Sequence, residues 1–468
     1  MRPRREDGYA PIEDYAAIGD GRTVALVAAD GCIDWWPVTR LDATPSFARL
    51  LDADRGGTIR LTPTEAYDVD RRYVEDTNVV ETVFTTATGS VRVTDAIPMG
   101  RGGQLSWSQL VRRIDGVAGQ VELEWSVEPG SRLGQCEPRL TRHDGAVVVE
   151  LEEEMLAVQA WRLGEPDVSA HAIRGRVVTK AGNSAVLVIT GGADSPVVVP
   201  TCEKCLVSVD VTIDRWQEWS RTIDYDGPWR EVVRRSALAL KLLAYSPTGA
   251  IAAAPTTSLP ERIGGAKNWD YRFMWVRDAA FTIDAMLTLG LHDEAHAAVK
   301  WMLGALRETE PDLRVFYSLD GREPDGEHEA DAAGYRNSKP VRVGNRAAKQ
   351  TQLGTFGDLF DMLWLYVQDG HRLDRASARL LTNLADRCCD IWHTKGSGIW
   401  ELQKTRHYTV EKIGCWTALD RAIQLADAGQ LEKSNVKRWA RERDRIKKWT
   451  NKHCWSDKRN SYTAWAGT

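Results

Sequence analysis

The spacing of apolar residues changes character once along this chain, near Asp214, and that change limits what it can fold into. Before it, short β-branched runs are broken by Gly, Asp and Asn. They lie at residues 24–28, 32–36, 82–86, 91–94, 147–152, 177–180, 185–190, 197–200 and 206–213. Asp30-Gly31 separates the first two, a hairpin signal because a tight two-residue turn needs positive φ. Thr88-Gly89-Ser90 separates the next two. Such a series predicts an antiparallel β-sandwich over residues 1–213. Residues 216–220 suit a short connecting helix, and Asp226-Gly227-Pro228 breaks the chain, so residues 214–228 read as a linker.

From Trp229 the spacing becomes helical. Trp229, Val232, Val233, Ser236, Leu240 and Leu243 form one stripe, and Phe281, Ala285 and Leu289 another. Leu353, Phe356, Phe360, Leu363 and Val367 alternate steps of three and four, as do Ile413, Trp416, Leu419, Ile423 and Ala426. About seven helices are legible over residues 229–468, with no βαβ alternation. Long loops interrupt them at 246–275, 312–349 and 394–408. Loops of that length in a compact domain are usually functional, and helices presenting them at one end predict an α-helical toroid with a site in its mouth.

Composition narrows the class. At 468 residues, 43% hydrophobic and 27% charged, the chain has the balance of a soluble multidomain protein. A net charge of -5 offers no general attraction to nucleic acid. No apolar run approaches the roughly 20 residues of a membrane span. The basic opening Met1-Arg2-Pro3-Arg4-Arg5-Glu6-Asp7 is not followed by an apolar stretch, so a cytoplasmic location is expected. The 8 cysteines are scattered and do not form a disulfide framework. Cys202 and Cys205 have half-zinc-site spacing, but no second pair lies nearby, and they are read as structural, in a strand and turn. The acidic loop 320–331 lacks calcium-ligand spacing. The basic stretch 433–459, interleaved with Glu442, Asp444 and Asp457, reads as a solvated helix face. No phosphate-cradling glycine loop or Ser-His-Asp elbow is present, and neither metal nor cofactor is expected.

The three loops mix aromatics with Arg, Asp and Glu. Asn268-Trp269-Asp270-Tyr271-Arg272 and Trp275-Val276-Arg277-Asp278 lie at the first, Pro340-Val341-Arg342-Val343-Gly344-Asn345 in the second, and Gly398-Ile399-Trp400-Glu401-Leu402 in the third. Sugar hydroxyls suit Asp and Arg, apolar sugar faces suit Trp and Tyr, and glycoside hydrolysis needs two carboxyl groups. The 19 tryptophans fit that chemistry and equally fit the filling of a large core. Glu401, beside Trp400, is the best single acid. Its plain alternative is a surface glutamate at a helix start, and that of Arg277-Asp278 is a salt bridge at a helix N-terminus.

The three loops, in this order, and the opening Pro11-Ile12-Glu13-Asp14-Tyr15 through Asp30-Gly31-Cys32-Ile33-Asp34-Trp35 resemble glycoside hydrolase family 15, the glucoamylase-like and trehalase-like proteins. The resemblance runs over essentially the whole chain. It implies a multidomain β + α protein: an N-terminal antiparallel β-sandwich, then an (α/α)6-barrel catalytic domain over 229–468. It implies an inverting hydrolase that releases glucose from the non-reducing end of an α-glucan, oligosaccharide or disaccharide, with a trehalase of the family or a catalytically incomplete sugar binder as alternatives. Glu401 matches the general acid, and Arg277 and Asp278 match the pair holding the −1 glucose. Trp400, Trp269, Asp270, Tyr271 and Arg342 would line or brace the site. Gly354 stands where the family pattern commonly has Asp. Leu402 follows the acid where fungal glucoamylases carry a second Glu, which leaves room for trehalose or isomaltose. Twelve helices close such a barrel, so the resemblance implies one incomplete at the C-terminus, with the general base beyond this chain. Glu411, Asp270 and Asp331 are the substitutes weighed for it, none in the family's context. The expected partner is an α-glucoside, without nucleic acid or membrane, and self-association is left open.

Overall fold

A computed structural model describes residues 4–100, 107–193, 197, 199–324 and 326–468. They divide into two compact units. The first holds residues 1–247, 254–272 and 328–343, and the second holds 248–253, 273–327 and 344–468.

The first unit is built on fourteen strands. They are β1 (Ala16–Gly19), β2 (Val24–Val27), β3 (Ile33–Trp35), β4 (Thr58–Pro63), β5 (Tyr67–Tyr73), β6 (Val80–Thr86), β7 (Gly89–Ala96), β8 (Trp107–Glu128), β9 (Arg139–His143), β10 (Ala146–Leu151), β11 (Glu154–Trp161), β12 (Asp167–Val168), β13 (Ile173–Lys180) and β14 (Ser184–Ala193). The 22-residue β8 organises them. Its first half pairs with β7 and β14, and its second half with β4 and β13. One strand therefore belongs to both layers of the sandwich. The switch occurs at Gly116–Gly119, where the pairing with β7 slips between Ser90 and Val91 and Gly119 takes φ +58°. A side chain at Gly116 would sit 2.1 Å from the Lys180 carbonyl oxygen, so glycine is required there. Ile59, Leu61, Leu123 and Trp125 of one layer share the core with Phe84, Val93, Leu110, Ile114 and Leu187 of the other. The predicted Asp30-Gly31 hairpin is present, with Gly31 at φ +80°.

Two readings of this region need correction. Residues 206–213 are not a strand. They lie inside α1 (Cys202–Ser220), which also contains Asp214 and places Cys202 and Cys205 in its first turn. Cys205, Val209, Thr212, Trp216 and Ser220 form the buried face, a spacing of four, three, four and four. The β-branched residues 207, 209, 211 and 213 disguised that helical period, because strand propensity is weaker than packing. Residues 197, 199 and 200 belong to no strand, and 198 lies outside the described residues. The unit also holds α2 (Arg230–Leu243), whose buried residues are Ala237, Leu238 and Leu242, not the predicted stripe; Trp229 and Val232 are exposed.

Four two-stranded ribbons follow among the described residues: β15 (Thr257–Pro260) with β16 (Asn268–Asp270), β17 (Met274–Trp275) with β18 (Phe316–Tyr317), β19 (His328–Ala330) with β20 (Val341–Val343), and β21 (Trp455–Ser456) with β22 (Ser461–Tyr462). The second unit contains α3 (Val276–Thr288), α4 (His292–Thr309), α5 (Thr355–Gln368), α6 (Arg375–Ile391), α7 (Thr409–Asp427) and α8 (Val436–Cys454). From Trp229 onward seven α-helices are thus present among the described residues, as the periodicity predicts. Sequential helices pair as hairpins. α5 packs between α3 and α7, and α6 packs on α4, α7 and α8. The α5–α7 crossing is close because a Cβ on Gly414 would lie 2.7 Å from Gly354 Cα, and one on Gly357 2.6 Å from the Gly414 carbonyl oxygen. The α5 stripe from Leu353 to Leu363 is buried as predicted, whereas Phe281 on α3 and Ile413 on α7 are exposed. The basic face of α8 is tied up in ion pairs, Arg438 with Asp386 and Asp390, and Arg445 with Glu442. No described helix is long and apolar enough to cross a membrane.

Inside the sandwich, Arg112 Nε lies 2.7 Å from Asp95 Oδ1 with both side chains fully buried, and its Nη2 reaches Asp95 Oδ2 at 3.2 Å. Removing one partner strands the other charge in the core. Asp95→Ala is expected to cost about 3–5 kcal/mol of stability, read as a fall in urea midpoint. A change below about 1 kcal/mol would show that the pair carries little of the packing.

Candidate active site

The loop between α6 and α7 places Glu401. Gly396 and Arg406 exchange backbone hydrogen bonds at its neck, at 3.0 and 2.9 Å. Within it, Leu402 N–H donates to the Ser397 carbonyl at 3.0 Å, and Ser397 N–H to the Thr351 carbonyl at 3.0 Å. Glu401 sits at φ +50°, a left-handed conformation that costs a non-glycine residue of order 1–3 kcal/mol and is held only where its surroundings over-determine it. Gln350 Nε2 donates to the Glu401 carbonyl at 3.0 Å. The Glu401 side chain is 20% exposed. It is a shielded carboxyl on a tight turn, not a surface residue starting a helix.

Arg277 comes to meet it from the first turn of α3. Its Nη2 lies 3.5 Å from Glu401 Oε1 and 3.3 Å from Asp278 Oδ2, and its Nη1 donates to the Ile399 carbonyl at 3.0 Å. Gln352 Nε2 reaches the same Glu401 oxygen at 3.5 Å. Three predicted residues, Arg277, Asp278 and Glu401, are thus brought together. Trp400, the residue before Glu401, is 78% exposed.

Beside them lies a cavity of about 250 Å³. It is lined by Arg277, Phe281 and Asp284 from α3, Asp358 and Asp361 from α5, Ile399 from the loop, and Val410, Glu411 and Ile413 from α7, with Gln352. The mix of carboxylates, one arginine and an apolar wall suits a small polyhydroxylated ring. Burial pushes the Asp358 carboxyl up to about 6; Asp278 and Asp361 push the same way, and Arg277 pulls back. Asp358 was not singled out in the sequence because it stands in Thr355-Phe356-Gly357-Asp358-Leu359-Phe360, where a lone Asp reads as the wet face of a helix. Gly354 also lines the cavity. A Cβ there would meet only Glu411 Cα, at 3.8 Å, so sterics do not demand glycine.

Glu411 secures this geometry. Fully buried on the first turn of α7, it accepts from Gly398 N–H at 3.0 Å and Leu353 N–H at 3.3 Å through Oε1. It therefore ties the Glu401 loop to the start of α5. Burial raises its pKa. Its neighbour Lys412 donates to the carbonyls of Trp392 and Thr394, the latter at 2.6 Å.

The remaining predicted residues lie in the first unit and form a group of their own. Arg272 makes a two-point contact with Asp270, 2.9 Å from Nε to Oδ1 and 2.8 Å from Nη2 to Oδ2, both side chains buried. The Arg342 guanidinium lies over the Trp269 ring at 4.5 Å and donates to the carbonyls of Ala266 and Asn268 at 3.0 and 2.9 Å. The Tyr271 carbonyl accepts from Ala254 N–H. Asp331 is exposed and pairs with Arg55 at 2.9 Å. Of the carboxylates weighed as a base, Glu411, Asp270 and Asp331 thus each hold a fixed contact.

Two substitutions probe this architecture. Glu411→Ala removes the acceptor of two buried amides and is expected to cost about 1–3 kcal/mol per stranded group, seen as a lower Tm, whereas Glu411→Gln keeps an acceptor and is expected to lie near wild type. For Asp358, a folded value raised from 3.8 to about 6 favours the protonated form in the fold. Its contribution is fully present below about pH 4 and lost as pH rises through about 6, a difference of about 3 kcal/mol. Asp358→Asn should therefore raise stability at pH 7 relative to wild type and change it little at pH 4. Equal effects at both pH values would contradict the buried-carboxyl account.

Comparison with known proteins agrees with this layout. The family model for glycosyl hydrolases family 15 matches residues 227–468, and one described as trehalase-like, N-terminal matches residues 6–204. The chain is 30% identical over 468 residues to a trehalase of Thermoplasma volcanium, covering 99% of this chain and 74% of the relative. It is 33% identical to a trehalase of Mycolicibacterium smegmatis, covering 95% and 70%. A bacterial glucoamylase solved in complex with acarbose superposes with a TM-score of 0.67 at 13% identity, covering 100% of this chain and 72% of that one, which supports the β-sandwich and (α/α)6-barrel fold class. On the two family models and the identity to these relatives, the chain belongs to glycosyl hydrolase family 15 and is a glycoside hydrolase.

Proposed function

We propose that this enzyme hydrolyses α,α-trehalose with inversion at the attacked anomeric carbon. The observation that carries the substrate is the agreement of both segments with trehalases: the N-terminal family model covers residues 6–204, and relatives named trehalase align over 90% or more of the chain in several organisms. Leu402 after the acid supports the same choice, since a starch-type +1 contact is missing there. Release of glucose from longer α-glucans is the wider reading that trehalose narrows.

In this reading Glu401 is the general acid. Its proton passes to the glycosidic oxygen as the bond to the −1 glucose breaks, and the second glucose departs as a neutral sugar. Arg277 and Asp278 hold hydroxyls of the −1 ring, and Arg277 also orients the Glu401 carboxyl through its 3.5 Å contact. The exposed Trp400 is free to stack on the sugar. Water attacks the opposite face of the −1 ring, activated by a second carboxylate that inverting enzymes hold about 6.5–9.5 Å from the acid. The reading assigns no residue among Glu411, Asp270 and Asp331 to that role.

Inversion has a signature on this substrate. Attack at one α carbon yields one β-glucose, and the leaving sugar is released as α-glucose. Proton NMR of the 468-residue chain with trehalose should show the two anomers rising equally at early times, with maltose and isomaltose slower. Glu401→Gln should lower turnover by about 10²–10⁴-fold while trehalose still raises the Tm. Wild-type turnover by Glu401→Gln would remove Glu401 from the acid's role, and α-glucose alone would mean retention. Faster cleavage of maltose would restore the wider α-glucosidase reading. Silence on all three sugars, with trehalose still stabilising the fold, would mean that these 468 residues bind the sugar without supplying the second carboxylate.

A further inference from the structure

We infer that His292, Asp369 and His371 form a binding site for a divalent transition-metal ion of the zinc type, separate from the carbohydrate site. His292 opens α4. Asp369 caps the end of α5, and His371 follows two residues later across Gly370, whose φ of +100° reverses the chain and turns both side chains to one side. His292 Nδ1 lies 2.9 Å and His371 Nε2 3.2 Å from the same Asp369 oxygen, Oδ2. One ligand atom from each residue falls within 4.8 Å of the others.

Those separations suit an ion. Zinc bonds of about 2.0–2.1 Å to imidazole nitrogen and carboxylate oxygen place tetrahedral ligand atoms roughly 3.3 Å apart. The observed 2.9 and 3.2 Å lie within a few tenths of an ångström of that spacing, and the two imidazole nitrogens, within 4.8 Å of each other, would draw together on the ion. The donor set, two imidazoles and one carboxylate, is that of zinc and its neighbours, not of calcium or magnesium.

A second feature argues that His371 is set up as a ligand. Its ring stacks on Tyr366 at 4.1 Å with an interplanar angle of 4°, which fixes its orientation. Its Nε2 is shielded from solvent and makes no hydrogen bond among the described residues, although it lies beside a carboxylate. A shielded imidazole nitrogen without a hydrogen bond is costly unless something else satisfies it. The His292 side chain is 52% exposed and those of Asp369 and His371 about a quarter, which leaves an entry path and room for water as a fourth ligand. A bound ion would clamp the start of α4 to the end of α5.

The test is calorimetric titration of the chelator-treated 468-residue chain with zinc chloride, alongside thermal melts and the visible spectrum of the cobalt(II) form. One equivalent should bind at micromolar affinity or better and raise the Tm, and cobalt should show the d–d bands of a four-coordinate nitrogen and oxygen site. His371→Phe keeps the stack on Tyr366 and deletes the ligand nitrogen, and Asp369→Asn keeps the shape and deletes the charge. Outer-shell changes alone weaken metal sites by about 10–100-fold, so each variant should lose at least about 100-fold in affinity with its metal-free circular dichroism unchanged. Cys202→Ser with Cys205→Ser should leave binding intact. Binding that vanishes with the cysteine substitutions but survives His371→Phe and Asp369→Asn would overturn the proposal. So would the absence of saturable binding, which would leave the cluster an ordinary His–Asp hydrogen-bonded group.

Discussion

A single buried carboxylate holds the second unit's site together. Glu411 accepts through Oε1 from two amides, Gly398 N–H in the Glu401 loop and Leu353 N–H before α5. Neither amide belongs to a helix or strand that could satisfy it, and a stranded buried N–H costs about as much as a lost hydrogen bond. The loop therefore cannot drift from α5 without exposing or orphaning these groups. Glycine at 396 and 398 lets the chain wrap that closely: a Cβ at 396 would sit 2.3 Å from Glu411 Oε1, and Gly398 takes φ +74° against the Tyr408 ring. The left-handed Glu401 backbone is a consequence of a turn already fixed from both ends.

The same restraint explains how much of the site was legible in the sequence. The motif Gly398-Ile399-Trp400-Glu401 announces itself because an acid between apolar residues in a glycine loop is an unusual combination, and Arg277-Asp278 stands out for the same reason. The carboxylates opposite them did not. Asp358 and Asp361 sit on α5 at positions that match a solvated helix face, and only the packing of α3 and α7 turns that face into a cavity wall. Phe281, Val410 and Ile413 carry the complementary lesson. Helices that line a cavity have one apolar face for the core and another for the ligand, and periodicity cannot tell which is which. The stripe that begins at Phe281 thus runs along the exposed side of α3, whereas Val276, Ala279, Ala280, Ile283 and Met286 are buried.

The β half shows the opposite balance. Turn chemistry located the hairpins, since Asp-Gly leaves little choice of conformation. The longest strand went unread because β8 carries Arg112 and Arg113 and a Gly116–Gly119 bend in its middle, features that argue against a strand when taken one at a time. Burial of Arg112 is offset by Asp95, opposite it on the neighbouring β7, and by the carbonyls of Gly31 and Ile59, and a pairing between strands is invisible until both are placed. The His292–Asp369 contact spans 77 residues and was unreadable for the same reason.

Electrostatics in the cavity then follows from one cation shared among several anions. Arg277 touches Asp278 and Glu401 and draws down the pKa of Asp358. Its attraction is insufficient to overcome burial at Asp358, which therefore keeps its proton up to about pH 6. Were Asp358 ionised at lower pH, a third carboxylate would compete for the same guanidinium, and the hold on Glu401 would weaken in proportion. In the proposed reaction a bound sugar displaces water from the cavity, lowers the local dielectric and further disfavours charge on Asp358. Asp358 thus stays out of the competition for Arg277, and the arginine is left to Asp278 and Glu401, the pair assigned to the sugar in the proposed reaction.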